Sequence, residues 1–288
     1  MGWTTFGYLT LDGLVIGGIY ALTALGLTLV YGLLRVLHVA HAGVYAAGAY
    51  CGWVAFSATQ SLVLALLFGA LGATALGVFL EWWFYRPLVG KHPLIPLIGS
   101  IGLFLATGDL LRIVFGPYQK SLPALEPTPV LNLGAVGVTA PQLFVIGATV
   151  GLLLVVYWVT ARTPLGLAWR SIAQDWEVAG AMGVNIPRHT ALAFALASAL
   201  AGIAGVLVGV YYNQIDPTMG NVPAYKALAI VVLGGLGNVW GTVTAGLLLG
   251  VIESFASAYA GNLFPPQGVA FVALILVLLF RPRGLFAR

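Results

Sequence analysis

The stretch TPLGLAWRSIAQDWEVAGAMGVNIPR, Thr163 to Arg188, decides how this chain is read. With Arg162 just before it, this polar interruption gathers Arg170, Asp175, Glu177 and Arg188, while the sequence on either side returns to apolar runs of membrane-spanning length. The segment reads as ordered. Thr163 followed by Pro164 is a helix N-cap with proline at the first helical position, where its missing N–H costs nothing. Leu165, Ala168, Trp169 and Ile172 then recur at helical spacing, with Arg170 and Gln174 off that stripe. Asp175, Trp176 and Glu177 open a second short helix with acids in its first turn, where the helix dipole favours them. Ala179 and Ala181 continue it, Gly183 ends it, and Asn185 and Pro187 close the loop. A two-helix hook folded at the surface of an apolar chain is expected to hold a partner.

Working outward, composition fixes the class. Hydrophobic residues make up 60% of the 288 residues and charged ones 7%, with a mean hydropathy of +1.01. A soluble domain carries roughly a quarter charged residues, so the chain reads as an all-α, polytopic helical membrane protein forming a single domain over residues 1–288. The 38 glycines agree, because membrane helices use glycine for close packing. The net charge of +4 is dispersed and does not point to nucleic acid. The single cysteine, Cys51, excludes an intramolecular disulfide and reads as a buried, inert thiol. No basic residue precedes Asp12 to form a signal-peptide n-region, so the first span is expected to serve as the insertion signal.

A helix needs about 20 apolar residues to cross about 30 Å of hydrocarbon. Eight spans are expected near 13–34, 40–58, 62–85, 94–115, 141–160, 189–212, 241–260 and 266–281, and a shorter run at 225–236 as a short or broken helix. With the 162–188 hook in the cytoplasm, Arg35, Arg86, Lys91, Arg162, Arg170, Arg188, Arg281, Arg283 and Arg288 fall inside, against Arg112, Lys120 and Lys226 outside. This asymmetry orients the N-terminus outward and the C-terminus inward. The proline-rich segment 116–140, with Pro117, Pro123, Pro127 and Pro129, reads as an ordered extracytoplasmic loop with two short strands that could face a soluble partner.

Three polar features need weighing. His38 and His41 stand at i and i+3, but no Cys, Asp or Glu lies nearby in sequence, so polar side chains at a helix end outweigh a metal site. Glu81 with Arg86, and Asp109 with Arg112, read as pairs at helix ends. Glu253 falls inside the span 241–260, where an ionised carboxylate needs a partner. Lys226 is the candidate by depth, and a structural ion pair and a pathway residue both remain open. Gly234 and Gly235 begin a run permitting a backbone reversal, tolerated at membrane depth only if buried or lining a cavity.

The segments LVYGLLRVLHVAHAGVYAAGAY (Leu29–Tyr50), EVAGAMGVN (Glu177–Asn185), YKALAIVVLGGLGN (Tyr225–Asn238) and GLLLGVIE (Gly246–Glu253) resemble the permease subunits of branched-chain amino acid ABC importers, most closely the shorter of the two permeases in that heteromeric system. The chain departs from that pattern at His38, where asparagine is expected, and at Ala42 and Gly43, where Gly-Glu is usual. The resemblance implies a type II-like ABC importer permease, with Arg170, Asp175, Trp176, Glu177, Ala179 and Gly183 coupling to ATPase subunits. It implies a translocation path near His38, His41, Tyr45, Lys226, Gly234, Gly235 and Glu253. Its implied partners are a second permease, two ATP-binding cassette subunits, an extracytoplasmic solute-binding protein, an amino-acid substrate and the lipid bilayer of a bacterial inner membrane. ATP and magnesium belong to the ATPases, and no GxxxxGK[ST] phosphate loop occurs in this chain. The same architecture carrying urea, short amides or other neutral amino acids is the alternative. An ion-driven secondary transporter would explain Glu253 but leaves the hook unaccounted for, and a membrane enzyme would have only His38 and His41 to work with.

Overall fold

The computed structural model describes residues 2–123, 125–126, 128–133, 136–261, 266–281 and 284–285. Arg283 and Arg288 of the inward basic set, and Pro127 of the proline-rich segment, lie outside the described residues. Twelve α-helices are described: α1 (Trp3–Leu34), α2 (His41–Thr59), α3 (Leu62–Leu80), α4 (Arg86–Leu88), α5 (Leu94–Phe115), α6 (Ala140–Arg162), α7 (Pro164–Gln174), α8 (Trp176–Ala181), α9 (Ile186–Tyr212), α10 (Asn221–Gly234), α11 (Val239–Ala260) and α12 (Pro266–Phe280). A π-helical segment, Glu81–Tyr85, joins α3 to α4 without a break. Among the described residues six helices are long and apolar enough to cross a membrane: α1, α3 with its continuation to Leu88, α5, α6, α9 and α11. The expected span at 40–58 is α2, whose His41, Tyr45, Tyr50 and glycines make it less apolar, and the last is shortened to α12.

The helices are sorted by how they meet their surroundings. In α1, 83% of the apolar window is buried inside the molecule, against 22% in α3 and 17% in each of α5 and α6. So α1 is the central element, and the peripheral helices turn apolar side chains such as Ile98, Leu105, Ile113, Leu154 and Trp158 outward. Such faces suit hydrocarbon, which an all-helical backbone can enter with its polar groups already satisfied. The core gathers Leu22 and Leu25 of α1, Tyr45 of α2 and Phe194, Leu200 and Leu207 of α9.

Glycine sets which helices touch. A Cβ on Gly17 would lie 2.9 Å from the Leu247 Cα, and one on Gly250 would lie 2.4 Å from the Gly17 Cα. The backbones of α1 and α11 therefore meet directly, as small residues four apart permit. Thr28 and Thr242 share a buried 2.8 Å hydrogen bond across the same seam. Gly48 of α2 meets Gly202 of α9 in the same way. Gly32, near the end of α1, makes no such close contact, the nearest atom to a Cβ there being the Gly237 Cα at 3.9 Å.

Helix ends follow local chemistry. Thr163 Oγ1 accepts from Gly166 N at 3.3 Å, Asp175 Oδ1 from Val178 N at 2.9 Å, and Asn185 Oδ1 from Arg188 N at 3.1 Å. Asn185 thus caps α9, which begins at Ile186, three residues before the expected span. Arg86 grips Glu81 with two hydrogen bonds, of 2.8 and 3.2 Å, and the π-helical turn makes that i, i+5 reach possible. Arg112 pairs with Asp109 at 3.0 Å on an exposed face. The two expected strands form the antiparallel hairpin β2 (Pro129–Leu133) and β3 (Val136–Thr139). A second pairing joins β1 (Lys120–Ser121) to β4 (Gln214–Ile215), following α9. Cys51 is half-buried against Gly72, less enclosed than its reading as a buried thiol.

Candidate functional site

A cavity of about 340 Å³ lies among α1, α2, α9, α10 and α11. The α1 helix contributes Tyr20 and Thr23, α2 contributes Tyr45, α9 ends at Tyr212, and α10 and α11 supply Lys226 and Glu253. The wall also includes Gln214 of β4, so the cavity reaches the end of the molecule that carries the hairpin. The hook sits at the other end of α6 from that hairpin. A larger groove, about 550 Å³, lies between α1, α6, α7 and α11. Its wall is almost wholly apolar and carries one charged residue, Arg170, so it offers little to hold a polar molecule.

Lys226 and Glu253, paired in the sequence reading on depth alone, form a buried salt bridge. Lys226 Nζ also donates to Tyr20 Oη at 2.6 Å and lies 4.6 Å from the centre of that ring. Glu253 Oε2 is buried without a hydrogen-bond partner. Breaking such a buried pair by removing one member typically costs about 3–5 kcal/mol, since the other charge is left uncompensated. The glycine seam accounts for Tyr20: Gly13 and Gly17 against Gly246 and Gly250 draw α11 onto α1, while Lys226 comes from α10, which packs on α11 at Gly234 and Gly241.

The remaining path residues divide. Tyr45 is on the cavity wall. His38 and His41 are not, and their i, i+3 spacing is not helical, because α2 begins only at His41. His38 Nδ1 shares a 2.5 Å hydrogen bond with Tyr85 Oη, and its ring packs on Phe194. His41 Nε2 donates to the Thr23 carbonyl at 3.2 Å. Among the described residues no group of three His, Cys, Asp or Glu side chains could hold a metal ion. Gly234 and Gly235 also lie off the wall, where α10 ends. There Gly234 packs on Gly241, Gly235 takes φ of 94°, and Leu285 N donates to the Leu233 carbonyl at 2.8 Å.

In the hook, Trp169 and Ile172 turn inward, and Trp169 Nε1 donates to the His189 carbonyl at 3.0 Å. Arg35 Nη2 reaches the Ala173 carbonyl at 3.3 Å, tying the hook to the end of α1. Asp175, Trp176, Glu177 and Gly183 are exposed, with Val178 and Met182 beside them. Arg170, also exposed, donates to the Thr160 carbonyl, and Ala179 is buried at 4% exposure, so these two help to shape the hook.

Sequence reasoning missed Tyr20, Thr23 and Tyr212 on the wall. It also missed Asp12, which accepts from Gln142 Nε2 at 2.7 Å and from Tyr211 Oη at 3.0 Å. A tyrosine or acid inside an otherwise apolar run was the signal available for Tyr20 and Asp12.

Helices of spanning length packed around a central, glycine-lined helix make this a multi-pass helical membrane protein, with a cavity walled by a buried ion pair. The profile of the family described as branched-chain amino acid transport system / permease component matches residues 9–280. The chain is 34% identical to the high-affinity branched-chain amino acid transport system permease protein BraD of Pseudomonas aeruginosa, covering 96% of this chain and 94% of that one. It is 33% identical to the permease protein LivH of Escherichia coli, with the same coverage of 96% and 94%. Among solved structures, PsaBC from Streptococcus pneumoniae in complex with Fab shares the fold, with a TM-score of 0.50 at 12% identity over 96% of this chain and 90% of that one. The chain belongs to the branched-chain amino acid transport permease family.

Proposed function

We propose that this protein is the permease subunit of an ATP-driven importer that moves branched-chain or other hydrophobic amino acids across a bacterial inner membrane. The observation that carries this reading is the 34% identity sustained over 96% of the chain to a permease named for that transport. In this reading the chain crosses eight times, with α10 as a ninth, short crossing, and its N-terminus lies outside and its C-terminus in the cytoplasm, the orientation that the basic asymmetry of the sequence supports. Residues 162–188 are then the cytoplasmic coupling loop and 116–140 an extracytoplasmic loop.

The partners in this reading are a second permease, two ATP-binding cassette subunits that hold ATP and magnesium, and an extracytoplasmic binding protein. Asp175, Trp176, Glu177 and Gly183 present the docking surface, with Val178 and Met182 as apolar contacts. Arg170 and Ala179 hold its shape. The bond from Arg35 to Ala173 gives hook movements a direct route to α1, the helix that walls the cavity through Tyr20. Tyr45, Lys226 and Glu253 line the path, while His38, His41, Gly234 and Gly235 support the helix ends that frame it.

The test is ATP-dependent uptake of labelled leucine by the assembled complex in proteoliposomes, with alanine and urea as competitors. Leucine uptake that excess unlabelled leucine abolishes and urea leaves unchanged is expected. Uptake of urea in place of leucine would move the chain to the alternative substrate class.

A further inference from the structure

Lys226 and Glu253 do not close fully on each other. The lysine ammonium has three donors, and its named partners are Glu253 Oε1 and Tyr20 Oη. Glu253 Oε2 is a buried acceptor with no hydrogen-bond partner, an unfavourable condition in a low-dielectric site. Each member therefore retains one unused position, a donor on one and an acceptor on the other. Both residues, although only 3% and 7% exposed, belong to the wall of the 340 Å³ cavity. The rest of that wall is mainly aliphatic, including Ile16, Ile19, Val208 and Ile230.

We propose that Lys226 and Glu253 read the two charges of an α-amino acid zwitterion, Lys226 taking its carboxylate and Glu253 Oε2 its ammonium, with the aliphatic wall receiving its side chain. The assignment rests on the importer reading above and names the recognition site within it. The ion pair is the resting arrangement, and the substrate opens it. As the Lys226 ammonium turns from Glu253 toward the incoming carboxylate, the substrate ammonium takes its place at Glu253. At no stage is a protein charge left without a counter-charge at membrane depth, where that would be costly. A molecule with only one of the two charges leaves Lys226 or Glu253 unpaired, and an uncharged molecule gives the pair no reason to open. The site thus discriminates by the penalty it imposes on incomplete ligands.

The decisive experiment uses the complete importer in proteoliposomes. The double variant Lys226→Met with Glu253→Leu removes both charges together and so escapes the penalty of an orphaned one. It is expected to assemble with its partner subunits in wild-type yield, yet to take up leucine at least about thirtyfold more slowly, as loss of paired buried charges on a ligand implies. Leucine uptake near the wild-type rate in that variant would make the pair purely structural and overturn the proposal. A second measurement covers the case in which the double variant does not assemble. Val222→Cys on the cavity wall, in a Cys51→Ser background, is labelled with a small maleimide. Leucine should slow labelling, while 4-methylpentanoate and 3-methylbutylamine, each carrying one of its charges, should not. Equal protection by either analogue would overturn the proposal. Failure of the wild-type complex to take up any amino acid would reject the importer reading and this assignment with it.

Discussion

The hook and the cavity both carry charge in a chain that has little of it, and they handle it in opposite ways. In the hook, Asp175 and Glu177 stand exposed, with Asp175 engaged by the backbone N–H of its own helix. In the cavity, Lys226 and Glu253 are buried and answer each other, with Tyr20 as a third member. The hook also turns apolar side chains outward, Val178 and Met182 among them, while Trp169 and Ile172 anchor it from inside; the helices around the cavity meet through glycine. Exposed charge beside exposed apolar surface suits a contact made with another protein. Paired charge on an interior wall suits a small molecule that passes through.

The contrast is tested most severely at Lys226. Lys226→Met leaves the Glu253 carboxyl buried without its counter-charge, so it should cost about 3–5 kcal/mol of folded-state stability and appear as a clear loss of monodisperse protein in detergent. Stability equal to wild type would mean that the cavity charges are as well solvated as those of the hook. Asp175→Ala tests the other side and should be milder, about 1 kcal/mol, because it removes one N-cap from the short helix α8. Hydrogen exchange should rise at Val178 and its neighbours while the spans keep their protection. The smallest effect belongs to Arg112→Ala: its pair with Asp109 is exposed on both sides, and such pairs contribute about 0–1 kcal/mol. A thermal midpoint indistinguishable from wild type is expected, and a large drop would show that exposure alone does not separate strong pairs from weak ones here.

What could be read from sequence follows the range of the forces involved. The caps at Thr163, Asp175 and Asn185 act over three residues, so the hook was legible almost residue by residue, apart from the start of α9. The Lys226–Glu253 pair was legible for a different reason: a charge at membrane depth demands a partner, and few candidates share its depth. Tyr20 was not, because its position beside that pair depends on α1 and α11 meeting at Gly17 and Gly250. Asp12 marked an apparent end to the first apolar run, yet α1 begins at Trp3, since Gln142 and Tyr211 satisfy the carboxylate from other helices. The β1–β4 pairing escaped notice because its two strands are far apart in sequence and only two residues long. His38 and His41 were read as polar side chains at a helix end, and α2 does begin at His41, with His38 in the turn before it.

The central claim is that the exposed hook joins this permease to its ATPase while the spans form independently of it. The most direct measurement compares membrane level, ATPase co-purification and ATP-dependent uptake for Glu177→Lys and Gly183→Trp. Glu177 is exposed, so its reversal alters the docking surface; Gly183 has φ of 90°, which side chains tolerate poorly, so tryptophan there distorts the end of α8. Both variants are expected to insert at wild-type levels and to lose ATPase association and uptake together. Full ATPase binding and full uptake in both would contradict the account.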